Sequence, residues 1–205
     1  MHTTLPPSFF CKLDGLISEF IWNQKVPRLR KQHLQRPRPL GKLALPNFRF
    51  YCWVTNIRIL KYWLQYEAFD PHPAWLVMEV GSAKLVTLKA LVHSPIHSST
   101  FPYTKNVIVK TSLRIWVQFK RHFGLQTYSI YAPLAVNHAF PPFLIDIVFL
   151  RWKNFGIHNF KDLYIDNVFA SFQQLLVKFS LPRHHFFRYL QVRSFVQVAF
   201  PSFPN

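Results

Sequence analysis

The sequence predicts an all-α protein of several short amphipathic helices with proline-rich connectors and no sizeable sheet. Three observations predict this class. Apolar residues recur at helical spacing in several segments. The 205 residues include 16 prolines but only 5 glycines, which favours short helices between rigid breaks over turn-rich β folds. No alternating run of apolar and polar residues is long enough to predict a sheet.

The clearest predicted helix spans residues 8–22. Ser8, which follows two prolines, is the expected N-cap. The polar side chains fall on one side of this helix, so its apolar face must dock on another surface. The apolar side chains cover an arc of roughly 140°: Phe9, Phe10, Leu13, Leu16, Ile17, Phe20 and Ile21.

A basic segment, residues 23–46, follows this helix. Pro27, Pro37 and Pro39 prevent a long helix there, so we expect an extended connector with one or two helical turns near 28–34. Asn47 is then expected to cap a second helix over about residues 48–66.

Acidic residues are absent between Glu19 and Glu67, while ten Lys or Arg lie between them. The stretch is therefore one electrostatic unit.

The middle of the chain predicts short helices near residues 73–80 and 83–92, and a stronger helix over 105–122. Lys110, Arg114 and Arg121 fall within about 40° of each other around that helix, which makes a basic ridge. Six residues are expected to share the opposite, apolar face: Ile108, Ser112, Ile115, Trp116, Phe119 and Phe123.

The C-terminal part is predicted to contain an uncharged linker and three further helices. The linker is residues 123–145, and the helices span about 142–155, 168–179 and 183–197. The last two resemble a helix-turn-helix unit in outline, but an ordinary αα-hairpin is favoured. We expect three regions, residues 1–66, 67–140 and 141–205.

The charge balance predicts a polyanionic partner. Lys and Arg number 25 against 8 Asp and Glu, a formal net charge of +17, with a pI near 10.3. Nucleic acid is the first expectation and an acidic membrane the second. A basic protein without a chosen ligand is the alternative.

Cellular location is predicted from what the sequence lacks. It opens without a secretory signal, and prolines and polar residues interrupt 123–145, so we expect an intracellular protein that is not secreted and has no membrane span. Cys11 and Cys52 are expected to be buried free thiols.

Catalytic chemistry is not predicted, because the eight acids are scattered and no two are adjacent. Residues 164–167, Tyr-Ile-Asp-Asn, approach the Tyr-x-Asp-Asp motif of polymerases but lack its second carboxylate. They are predicted to lie in a helical region, with Asp166 or Asn167 capping the next helix. No metal site, cofactor or catalytic residue is expected.

Histidine pairs and aromatic residues are likewise given structural interpretations. Pro95 prevents His93 and His97 from sharing a helical face, and His184 and His185 point in different directions, so loop and surface positions are favoured over metal binding. Four aromatic residues near the cations are expected to be buried rather than to stack on bases: Trp22, Phe48, Tyr51 and Trp53.

Short motifs in a fixed order resemble a known family. "FIWN" at 20–23, "PR" at 27–28 and "LALPNF" at 43–48, followed by Tyr51, resemble the region after the polymerase core of LINE-type, non-LTR retrotransposon reverse transcriptases. Gly41-Lys42 departs from that family's Gly-Gly. The resemblance continues through residues 113–125, 160–166, 169–175 and 181–196, and so covers most of the chain.

This resemblance implies that residues 8–66 correspond to the thumb and the segment after it. The endonuclease, the fingers and the palm with its paired aspartates would precede Met1, and helix 8–22 would dock on that missing palm. The chain would then be a non-catalytic fragment of an RNA-directed DNA polymerase.

The expected ligand is the phosphate backbone of RNA or of an RNA–DNA hybrid. A structural or protein-interaction remnant is the alternative function, and binding of basic amphipathic helices to an anionic membrane is a third. The expected phosphate contacts in the basic segment are Lys25, Arg28, Arg30, Lys31, Arg36, Arg38 and Lys42, and those on the ridge are Lys110, Arg114 and Arg121.

Overall fold

A computed structural model describes residues 5–40, 43–68, 70–83, 87–93, 104–125, 128–142 and 146–201. The chain divides into two compact units, Met1–Ile59 and Leu60–Asn205.

The first unit contains helices α1 (Pro7–Trp22), α2 (Lys31–Leu34) and α3 (Phe48–Ile57), with a 3₁₀ turn at Arg38–Leu40. The prediction that Ser8 caps α1 is wrong. The helix begins one residue earlier with proline, whose missing N–H costs nothing in the first turn. The prediction for Asn47 is confirmed, because its side chain accepts the Phe50 N–H at the start of α3.

The second unit begins with α4 (Leu60–Leu64), a 3₁₀ turn (Tyr66–Ala68), α5 (Ala74–Gly81), α6 (Leu88–His93) and α7 (Val107–His122). The single helix predicted over 48–66 is thus interrupted at residues 58–59, where neither glycine nor proline marks the break.

The buried face of α7 differs from the predicted one. Ile108 and Phe123 are exposed, whereas Lys120 is buried. Of the other predicted members, Ser112 and Ile115 are buried and Trp116 and Phe119 are half-buried, so the buried stripe matches the predicted face in its middle but not at its two ends. Five residues at helical spacing form this stripe or flank it: Val109, Ser112, Leu113, Trp116 and Lys120.

Further along, the described residues form α8 (Val148–Arg151), α9 (Phe172–Phe179) and α10 (Phe186–Ala199), with 3₁₀ turns at Trp152–Phe155, Phe160–Leu163 and Arg183–His185. Ser171 caps α9 and makes a capping box with Gln174. Helices α9 and α10 contact each other through Phe172, whose ring lies 5.2 Å from that of Phe186.

The segment Tyr164–Phe169 is not helical as predicted. Strands β1 (Tyr164–Ile165) and β2 (Val168–Phe169) pair antiparallel, with Tyr164 opposite Phe169. Asp166 and Asn167 both have positive φ and form the two-residue turn, so neither caps a helix. Asp and Asn tolerate the left-handed region that such hairpins require. The fold is thus mostly helical, as predicted, but not strictly all-α.

The main core of the second unit is aromatic. Phe140, Phe149, Trp152 and Phe160 are almost fully buried, and the Phe140 and Phe149 rings lie 5.1 Å apart. Residues 130–140 contribute to this core, so this part of the segment predicted as a linker is packed structure. Its freedom from charge reflects that burial.

The cysteines fit the predicted burial only in part. Both are free thiols, but Cys11 is exposed and Cys52 is half-buried.

Candidate nucleic-acid interface

The basic segment starts at a sharp helix end. Asn23 and Gln24 both have positive φ, and the Gln24 N–H donates to the carbonyl of Glu19 at 3.0 Å. This is the geometry of a Schellman motif, in which a left-handed residue closes the last turn of a helix. The chain then continues into residues 25–30, which are irregular and bend at residues 25, 28 and 29.

A short anchored loop holds the rest of the basic segment. Leu34 of α2 is buried, and its carbonyl accepts the Leu45 N–H at 2.9 Å. The carbonyl of Arg36 accepts the Ala44 N–H at 3.1 Å. These two bonds pair residues 34 and 36 with residues 45 and 44, so the part of the basic segment around Arg36 is anchored by backbone hydrogen bonds within the unit.

Most of the predicted phosphate-binding cations of this segment are exposed. Lys25, Arg28, Arg30, Arg36 and Arg38 all face solvent. Lys42 lies outside the described residues.

Lys31 differs from these cations because it is half-buried and forms an ion pair with Asp14 of α1. Its charge is thus partly offset inside the unit. Lys31 therefore tethers the basic segment to α1, whereas the exposed guanidinium and ammonium groups are accessible to an anionic ligand.

An apolar cleft of about 210 Å³ lies beside these cations, between α1 and the basic segment. Ile17, Ile21 and Trp22 line it from α1, and Arg30 and Leu34 line it from the other side. Trp22 is half-buried and open to this cleft, so an aromatic surface lies next to a cation, as in many single-strand binding sites.

The predicted burial of the other aromatic residues is confirmed for one and wrong for another. Trp53 is buried beneath the Arg49 guanidinium, which lies 4.8 Å from the ring centre, and Phe48 is half-buried. Tyr51 is 65% exposed. It faces away from the stripe that contains Trp53 and Asn56, so it is available for contact with a ligand.

The predicted ridge on α7 has two exposed members. Arg114 and Arg121 are exposed, and Lys110 is half-buried. The ridge belongs to the second unit, whereas the basic segment belongs to the first. The two sets of cations are therefore considered as separate candidate surfaces.

Carboxylates do not gather anywhere in the part of the chain that the structure describes. No group of three or more His, Cys, Asp or Glu in these residues has the geometry to hold a metal ion. Glu79 accepts the Trp63 indole N–H at 2.8 Å, and Asp162 accepts the backbone N–H groups of His158 and Asn159. These acids serve structural roles, while Asp166 is exposed at the hairpin turn.

The loop and surface positions predicted for the two histidine pairs are only partly confirmed. His184 is exposed, but His185 is buried, and its Nδ1 accepts the Trp152 indole N–H at 3.2 Å. The surface position predicted for His185 is therefore wrong. His93 is half-buried, and its predicted partner His97 lies outside the described residues.

Lys120 is the polar residue whose position the sequence did not reveal. It is 6% exposed, and burial lowers its pKa to about 8. Its spacing of four from Trp116 and seven from Leu113 was the available signal, since it places the lysine in the buried stripe.

Comparison with known families and inspection for membrane spans add two findings. No family model matches the chain. Among the helices in the described residues, none is long and apolar enough to cross a membrane.

Proposed function

We propose that the chain is a non-catalytic part of a LINE-type reverse transcriptase that binds the phosphate backbone of RNA or an RNA–DNA hybrid. The binding surface is the basic segment of the first unit, and the resemblance of the sequence motifs supplies the family. The ridge on α7 is a second proposed contact.

The observation that carries this proposal is the exposure of five cations on an anchored, acid-free segment. Lys25, Arg28, Arg30, Arg36 and Arg38 face solvent, and α1 supplies the two acids of the first unit, Asp14 and Glu19. Exposed cations on fixed backbone neutralise phosphates and release their counterions, which gives steeply salt-dependent binding.

Fluorescence anisotropy with a labelled RNA–DNA hybrid at several salt concentrations tests the proposal. The test variant replaces Arg28, Arg30, Arg36 and Arg38 by Gln. The control variant replaces four exposed cations of the second unit by Gln, which changes the net charge equally: Arg151, Lys178, Arg183 and Arg193.

The expected result is a steep loss of affinity with salt for the wild type and the control. The test variant should bind more weakly at every salt concentration. Its slope of log K against log salt should fall by about three, since each lost phosphate contact removes 0.7 to 0.9 of the slope. Equal behaviour of the two variants, or a flat salt response of the wild type, would contradict the proposal.

A second candidate function, docking to the palm of the parent polymerase, rests on α1. This helix has no buried residue, and Phe9, Leu16 and Phe20 are 44%, 63% and 87% exposed. An apolar helix face so open to water is typical of a surface that another protein covers. Co-expression with the palm of a LINE-type reverse transcriptase tests this candidate, and failure to co-purify counts against it.

A further inference from the structure

An open cleft of about 570 Å³ lies within the second unit and has no part in the proposed backbone contacts. Its walls come from the end of α6, the C-terminal half of α7, residues 128–131, and the segment around the β-hairpin. The volume falls in the range of small-molecule sites in proteins.

The ammonium of Lys120 lines this cleft in a fixed position. Its Nζ lies 3.5 Å from the carbonyl oxygen of Val92 and 5.7 Å from the centre of the Trp116 ring. The Trp116 indole N–H donates to the same carbonyl at 2.8 Å.

A second lysine reaches the cleft from the segment before the hairpin. The Nζ of Lys161 donates to Oδ1 of Asn167 at 3.0 Å, and both residues line the cavity. Among the described residues that line it there is no Asp or Glu. Two ammonium groups and no carboxylate make the cleft electropositive.

Aromatic and neutral polar groups complete the walls. Trp116, whose ring stacks on that of Phe119 at 5.4 Å, and Tyr128 are half-buried and line the cleft, and Tyr131 is largely exposed at the rim. His93 also lines the cleft. Burial and the charges of Lys89 and Lys120 lower its pKa to about 4, so it is a neutral donor and acceptor at pH 7.

We propose that this cleft binds a phosphate monoester joined to an aromatic ring, of which a nucleoside 5′-monophosphate is the representative. Its phosphate is held by the ammonium groups of Lys120 and Lys161, and its ring lies against Trp116 and Tyr128. Charge-assisted hydrogen bonds give the phosphate its affinity, and aromatic stacking favours the ring. This site is independent of the proposed backbone contacts in the first unit.

Isothermal titration calorimetry of the full chain with AMP, adenosine and inorganic phosphate tests the ligand class. AMP should bind at least tenfold more tightly than either part alone, since it engages both the lysines and the rings. No binding of AMP at millimolar concentration would overturn the proposal. Inorganic phosphate or adenosine binding as tightly as AMP would overturn it as well.

Two variants test the assignment of residues. Lys161→Gln should weaken AMP binding by about tenfold to a hundredfold, as expected for loss of a hydrogen bond to a charged group. Lys178→Gln removes an exposed lysine outside the cleft and should change the affinity less than twofold. If both variants weakened AMP binding equally, the loss would be an effect of net charge, and the proposed site would be wrong.

Lys120→Met should weaken AMP binding by at least as much as Lys161→Gln, because Lys161 remains as the second phosphate contact, with circular dichroism as the check on folding. If that variant does not fold, Lys161→Gln alone decides. The Arg28, Arg30, Arg36 and Arg38 to Gln variant should retain AMP binding, which separates failure of this site from failure of the backbone-binding surface.

Discussion

Trp152 donates its indole N–H to Nδ1 of His185 across 3.2 Å, inside the aromatic core of the second unit. Both side chains are buried. The bond requires Nδ1 to be unprotonated, so the proton of the neutral ring is on Nε2. A charged imidazole has a proton on both nitrogens and cannot accept this bond.

The first prediction concerns acid stability. Burial, reinforced by the charges of His184 and Arg188 and opposed by Asp146, lowers the pKa of His185 in the folded state. The unfolded chain therefore binds more protons below about pH 6.5, and the free energy of unfolding should fall as pH decreases from 7 to 5. Urea denaturation at three pH values measures this loss.

The matched variants for this prediction are His185→Asn and His184→Gln. Asn places an acceptor near the position of Nδ1 without titrating, so its stability should depend less on pH than that of the wild type. His184 is exposed, and its replacement removes only one of the charges that lower the pKa of His185, so the pH dependence should shrink less than in His185→Asn. If the stability of His185→Asn depended on pH as that of the wild type does, another group would be the cause of the lower stability in acid.

The second prediction concerns His93, whose pKa is lowered to about 4 by burial first and by Lys89 and Lys120 next. Stability that depends on neutral His93 is present above pH 6.5 and is lost as pH falls toward 4. An NMR titration of the imidazole Cε1–H signals should show one ring that stays neutral at pH 5. Lys89→Met should raise that pKa, and titration of His93 near 6.5 in the wild type would contradict this account.

The third prediction concerns Lys120, whose pKa burial lowers to about 8. Between pH 8 and about 10.5 the unfolded chain binds more protons at this residue, so the free energy of unfolding should gain from Lys120 as pH rises. Lys120→Met should lack this gain, and Lys178→Met is the exposed control. Denaturation at pH 7.5, 9 and 10 makes the comparison, and parallel curves for wild type and Lys120→Met would contradict it.

The fourth prediction concerns the hairpin turn. Asn167 has a φ of 63°, in the left-handed region that β-branched residues rarely adopt. Asn167→Val should lower the free energy of unfolding by about 1–2 kcal/mol, whereas Asn167→Gly should be close to neutral. Val168→Thr, at the next and exposed strand position, is the control. Equal stability of the Val and Gly variants would contradict the turn geometry.

Local sequence signals predicted those parts of the fold that local chemistry determines. Asn47 was identifiable as a cap because the apolar pattern starts directly after it, and the helix predicted over 105–122 is present as α7. Asp166-Asn167 was misassigned because apolar residues on both sides imitate a helical pattern. The left-handed tolerance of the pair, which favours a turn, is a weaker signal.

Tertiary packing determines which polar side chains are buried, and local sequence patterns did not predict this. The burial of Lys120 depends on the contact of α7 with Val92, which no local pattern reveals. His185 was predicted at the surface from the diverging directions of His184 and His185, but its acceptor role depends on Trp152, 33 residues away. The exposure of the cations in the basic segment does not depend on tertiary packing in the same way, because charge and proline content already favour an irregular segment at the surface.

The last prediction concerns the apolar face of α1. Leu16 and Phe20 lie four residues apart on one face and are 63% and 87% exposed. Large apolar side chains left in water favour association, so the purified wild-type chain should self-associate as its concentration rises. Leu16→Lys with Phe20→Lys should shift the chain toward monomer, since lysines at these exposed positions remove the apolar patch and add repulsion.

Size-exclusion chromatography with light scattering measures the effect. The control, Val177→Lys with Val198→Lys, changes two equally exposed apolar residues of the second unit and adds the same charge. If self-association depends on α1, only the first variant should raise the monomer fraction. If self-association fell equally in both variants, the cause would be net charge, and this observation would no longer support a docking face on α1.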